Sequence, residues 1–203
     1  MINNLEQIKT LLKFENKNEF YFIQIIQRNK EHPDLGNNNH LIKAFYIFSI
    51  DYLDKKWDEM VTLANTFNAR IYIHLNRRNS YDIALDLMEN LAHNIKSNQV
   101  NFLSDSYESV CGKYKGKGKD KTWVIDIDFL MGKRIPSIDD VLRDKICKTL
   151  ATIEPLNTTK IIANIPTKNG YHLITNPFNS EKFNKEFPDI KIHKNNPTLL
   201  YCP

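Results

Sequence analysis

The chain runs to 203 residues, 41% of them hydrophobic and 26% charged, with a net charge of +4. This is the make-up of a globular protein with one sizeable core, or two small units sharing one, and it excludes disordered and fibrous chains. No apolar run approaches the ~20 residues of a membrane span, and three scattered cysteines, Cys111, Cys147 and Cys202, exclude a disulfide framework or a zinc site of recognisable spacing.

The opening stretch, residues 1–20, reads as an amphipathic helix with acidic residues, unlike a signal peptide, so the expected location is the cytoplasm. Glu19–Gln27 (EFYFIQIIQ) and Ala44–Ile50 (AFYIFSI) are aromatic and β-branched and predict strands, separated by an exposed Pro-, Gly- and Asn-rich loop. Trp57, Met60, Val61, Ala64 and Phe67 form a stripe at helical spacing, predicting a helix over Tyr52–Asn68. Arg70–Leu75 (RIYIHL) predicts a strand. Ser80 then caps a helix to Ile95, with Ile83, Leu87, Leu91 and Ile95 on one face. Residues 1–112 therefore read as an α/β unit.

Residues 113–121, KYKGKGKDK, hold five lysines and two glycines and read as a mobile basic loop. Lys113, Lys115, Lys117 and Lys119 are the expected nucleic-acid contacts, with Tyr114 as a stacking surface. Residues 122–203 alternate again. Thr122–Asp128 predicts a strand, and a helix capped by Ser137 follows to about Leu150, carrying Ile138, Val141, Leu142 and Ile146. Lys160–Ile165 and Tyr171–Thr175 predict strands around a turn at Lys168–Asn169–Gly170. Asn179 or Ser180 opens a short helix to Phe187, and Thr198–Cys202 closes the chain as a strand. The order β-α-β-β-α-β is that of a ferredoxin-like, RNA-recognition-motif-like unit, making the whole chain α+β.

The chemistry concentrates in this second unit. Asp126 and Asp128 sit two apart on a strand and so share a face, while Trp123, Ile125, Ile127 and Phe129 build core behind them. Paired carboxylates repel unless a cation joins them, and hard oxygen donors suit Mg²⁺ or Mn²⁺. Alone, such a pair is also what two solvated aspartates at a strand end look like. The segment PTKNGYH places Thr167 and Lys168 before a turn and His172 after it, a donor set able to hold phosphate oxygens. Asp189 follows the last helix, close enough in the topology to join the pair. The consecutive Arg77 and Arg78 at a strand exit are candidates for a triphosphate.

The trio DID, TKNGYH and PDIKIHKNN resembles, in its order and its RNA-recognition-like surroundings, the motifs of the archaeo-eukaryotic primase superfamily, which includes the primase-polymerases. The resemblance covers roughly residues 70–203. It implies metal binding by Asp126, Asp128 and Asp189, contact of His172 with the phosphates of an incoming nucleotide, and Asn195 or Asn196 beside that nucleotide. Thr167 stands where the family often has serine, and no arginine follows the Asn stretch. The expected activity is template-directed nucleotide joining by two metal ions, with nucleoside triphosphates and single-stranded nucleic acid as partners, and a helicase or other replisome protein alongside. The alternatives are a catalytically silent nucleic-acid-binding relative, or a metal-dependent nuclease or replication protein. The Asn- and Lys-rich composition suggests an AT-rich source such as a phage or mobile element.

Overall fold

Aromatic and β-branched segments assemble into two antiparallel sheets. The structure, a computed structural model, describes residues 1–129 and 135–203, with the side chains of Phe102, Lys119, Pro136, Ser137 and Ile138 outside the description. Helices and strands mix in one α+β fold.

The first sheet contains β1 (Ile2–Asn3), β2 (Glu19–Gln27), β3 (His40–Ile47), β4 (Arg70–Asn79) and β9 (Pro197–Cys202) in the order β1-β9-β4-β2-β3. The second contains β5 (Trp123–Asp128), β6 (Ile161–Thr167), β7 (Gly170–Thr175) and β8 (Lys191–His193) in the order β6-β7-β5-β8. With α5 (Pro136–Thr152) after β5 and α6 (Ser180–Glu186) after β7, the second unit reads β-α-β-β-α-β. Its fourth strand, however, is the three-residue β8. The strand expected at Thr198–Cys202 instead crosses to the first sheet, where it pairs with β1 and β4.

Other elements differ from the sequence expectation for local reasons. The first twenty residues form only β1 and a short α1 (Leu5–Lys9) before β2 begins. Asn4 uses its side-chain amide to bond the carbonyls of Pro166 and Leu199, each at 2.9 Å, tying the two sheets together. A helix begun at the first residue would replace β1 and remove that clamp. Helix α2 (Ile50–Thr66) is capped by Ser49, and α3 (Ser80–Lys96) by Asn79, whose side chain accepts the Tyr81 N–H at 2.9 Å. Ser80 is therefore not the cap: it bonds the Asn18 carbonyl through its N–H and its hydroxyl. Ile95, expected inside, is 60% exposed. Helix α5 starts one residue before Ser137, with Pro136 at its first position and the Ile135 N–H bonded to the Asp139 carboxylate at 2.7 Å.

Three clusters hold these layers. Ile23, Ile25, Ile71 and Ile73 of the first sheet join Leu53 and Met60 of α2 and, from the second sheet, Val124, Ile165 and Ile174. Each such aliphatic side chain contributes roughly 1.5–3 kcal/mol on burial, so the sheets are held together by core. Behind the second sheet, Trp123, Ile125, Ile127, Tyr171 and Leu173 pack on Ile146 and Leu150 of α5 and Phe183 of α6. The third cluster sets Phe20 and Phe22 against Ile83 of α3 and Val110 and Cys111 of α4 (Ser106–Lys113).

Arg78 lies fully buried in that third region. Its guanidinium donates to the carbonyls of Cys111, His74 and Asn76 and stacks over the rings of Phe22 and Tyr114. Burial pulls its pKa down to about 10. It anchors α4 to β4 and is not available to a triphosphate. Arg78→Ala leaves those carbonyls unsatisfied and opens a cavity, so it should cost about 3 kcal/mol or more, a fall of roughly 6–12 °C in thermal midpoint for a chain of this size. An unchanged midpoint by circular dichroism would show that Arg78 is not the anchor.

Candidate active site

The site grows from the pairing of β5 with β7. The antiparallel register sets Asp126 across from His172 and Asp128 across from Gly170. Cross-strand partners project to the same face, so the carboxylates and the imidazole stand on the side that also carries Val124 and Ile174. As expected, Ile125, Ile127 and Tyr171 take the opposite face. Strand β8 lies on the other edge of β5 and pairs Lys191 with Asp126 and His193 with Val124.

Asp126 is half-buried between two imidazoles. His172 Nε2 is 3.4 Å from Oδ1 and His193 Nε2 is 3.7 Å from Oδ2. Burial by itself would raise the Asp126 pKa, but hydrogen bonding from His172 and His193 outweighs it and holds the carboxyl well below the usual carboxylate range. His172 is 8% exposed, and its Nδ1 is buried without a protein partner. Asp128 is exposed at the end of β5. Asp189 is exposed in the turn ahead of β8, two residues before Lys191, and so enters at the Asp128 end of β5. Among the described residues no group of three or more His, Cys, Asp or Glu side chains is placed to hold a metal ion.

The turn after β6 brings Thr167 and Lys168 to the same end. Thr167 pairs with Gly170, and the Phe129 N–H bonds the Asn169 carbonyl at 2.6 Å, fastening the exit of β5 to the turn. Lys168 Nζ is 3.3 Å from Glu31, which also binds Arg70. Glu31 and Arg70 come from the first sheet's side, so this turn has a charged neighbour that the motifs did not disclose.

Several expected contacts have structural duties instead. Arg77 is ringed by Glu15 at 3.0 Å, Glu19 at 3.0 Å and Asp120 at 2.7 Å, so its charge is matched within the chain. Asn195 donates to the Gly112 carbonyl at 2.9 Å, and its own carbonyl meets His74 Nδ1 at 3.2 Å. Asn196 is buried with φ of 53°, its amide bonded to the Thr122 hydroxyl and its oxygen to Thr198. These two asparagines steer the chain from β8 in one sheet to β9 in the other. Asn76 completes the seam, donating to the carbonyls of Lys194 at 3.0 Å and Lys115 at 3.1 Å.

The basic segment is likewise more built than a free loop. Lys113 ends α4, Lys117 pairs with Asp82 of α3 at 3.2 Å, and residues 118–120 form a 3₁₀ turn. Tyr114 is buried against Arg78 and offers no face to a base. Lys115 is exposed; the Lys119 side chain lies outside the described residues. The segment enters β5 at Trp123, the end remote from Asp128. His193 is the site residue that sequence reasoning missed. Its signal was present in IHK, but only the pairing of β8 with β5 gives it meaning. No family model, curated protein or solved structure matches this chain.

His74 sits in the seam with its pKa pushed down to about 3, by burial first and then by the Arg78 charge. Unfolding frees it to take a proton at its ordinary 6.5, so the unfolded state binds more protons below that pH. The stability it lends is full above about pH 6.5 and drains as pH falls toward about 3, at up to ~1.4 kcal/mol per pH unit. Urea melts at stepped pH should show that slope, and His74→Gln should flatten it; an equal slope in both proteins would contradict the assignment.

Proposed function

We propose that the chain is a primase-polymerase-like nucleotidyltransferase that joins nucleotides on a single-stranded template with Mg²⁺ or Mn²⁺. The observation that carries the reading is the Asp126–His172 pairing across β5 and β7, with Asp128 two residues further on the same face. Asp126 is kept ionised, as a ligand for a hard cation must be. Two carboxylates suffice where substrate phosphates and water complete the shell, which is the usual habit of Mg²⁺. Asp126 and Asp128 fit that role, and Asp189 enters from the same end of β5. A bound ion there would neutralise phosphate charge and favour ionisation of the attacking hydroxyl.

The protein groups do the positioning. His172 directs its Nε2 at Asp126, and in this proposal that ring N–H is shared with a phosphate oxygen of the bound nucleotide. Lys168 is more than half exposed and can exchange Glu31 for a phosphate. Thr167 adds a hydroxyl on the same turn. Nucleotide holding thus falls to the Thr167–His172 hairpin, since Arg77, Arg78, Asn195 and Asn196 are spent on the fold.

A second reading, a silent relative that binds nucleic acid without chemistry, is favoured by the exposed Asp189 and the absence of a gathered three-carboxylate group among the described residues. One assay separates the two. With Mn²⁺ and a primed or unprimed template, the wild type should incorporate nucleotides, and His172→Ala should lose about 10²-fold or more while keeping template affinity. Equal incorporation by both proteins refutes the role of His172. Template binding with no product under either metal supports the silent relative.

A further inference from the structure

Helix α3 has two apolar faces. The inner one, through Ile83 and Leu87, packs against Phe20, Phe22 and Val110. The outer one carries Tyr81 (69% exposed), Leu85 (65%), Met88 (68%) and Ile95 (60%), with exposed Ala92 between the last two. The intervals are four, three, four and three residues, the period of a coiled-coil seam. Such a seam fits along another helix at a shallow angle, and fits a strand poorly. Four large apolar side chains in one line also exceed the scattered exposure that a monomer ordinarily shows.

We propose that this seam is a homodimer interface in which α3 of one chain packs antiparallel on α3 of a second copy. The seam complements itself only in that direction. With Leu85 of each copy beside Ile95 of the other, each Met88 lies over the opposing Ala92, long side chain over short, twice. Asp82 in the first turn meets Lys96 in the last turn of the other copy, again twice, and the helix dipoles oppose head to tail. A parallel pairing would stack Met88 on Met88, with the dipoles aligned. Asp82 also contacts Lys117 of its own chain at 3.2 Å, and a carboxylate has acceptor capacity for both lysines. Glu89, beside the two-fold midpoint, meets its own mate and is the like-charge contact of the arrangement. The four large side chains supply roughly half of the ~800 Å² per partner of a standard interface, so the dimer is concentration-dependent.

Sedimentation equilibrium on the full chain over a wide concentration range tests this. A monomer–dimer equilibrium is expected, weakened roughly tenfold or more by Leu85→Lys or Met88→Lys, with thermal midpoints unchanged at concentrations where the wild type is monomeric, because both residues are exposed. Lys96→Asp should weaken association, Asp82→Lys combined with it should restore it, and Glu89→Gln should tighten it. A chain that stays monomeric at every concentration, or a dimer indifferent to Met88→Lys, overturns the interface. A charge swap that restores nothing overturns its antiparallel direction.

Discussion

Gly170 lies against the backbone of β5 so closely that a Cβ there would overlap the Ile127 carbonyl oxygen and reach within 2.9 Å of the Asp128 Cα. The rest of the site depends on that approach. It lets β7 begin directly across from Asp128 and sets the register that places His172 across from Asp126. A slip of β7 by one residue would turn His172 to the helix-covered face, where Tyr171 and Ile127 now pack, and leave Asp126 without it. The requirement for glycine in NGYH is thus one of space, since backbone meets backbone and a side chain has nowhere to move.

Polar residues are divided between the fold and the candidate site. Arg77 and Arg78 are neighbours in sequence, yet one is ringed by carboxylates and the other is sealed among carbonyls and rings. A buried guanidinium without such partners would be costly, so its bonds are conditions of the fold. Asn76, Asn195 and Asn196 likewise fasten the passage from β8 to β9, through the Lys194 carbonyl, the Gly112 carbonyl of α4 and the Thr122 hydroxyl. This crossing holds β8 on the edge of β5 and so keeps His193 beside Asp126.

Much of this was legible in the sequence, and the misses share a cause. Glu19–Gln27 is a strand over the range its aromatic and β-branched run predicts, and the alternation in WVIDID sorts core from site as expected. These signals are local. Strand β8 has three residues and α4, SYESVCGK, has no clear apolar period, so neither announces itself. Which sheet the last strand joins is decided by pairing with residues far away in the chain, and TLLYC would suit either. The same holds for His193, Glu31 and the two arginines, whose partners come from other elements. Residue type suggested candidates, and tertiary contacts decide which of them are already committed to the fold.

The central claim is that Asp126 and Asp128 form one cation-binding face beside His172. The most direct measurement is a crystal of the protein grown with Mn²⁺ and a non-hydrolysable nucleoside triphosphate, with anomalous scattering recorded at the manganese edge. A manganese peak shared by Asp126 and Asp128, with the triphosphate against His172, is the predicted result. Contradiction would be a triphosphate bound elsewhere, or manganese peaks that leave both aspartates without an ion.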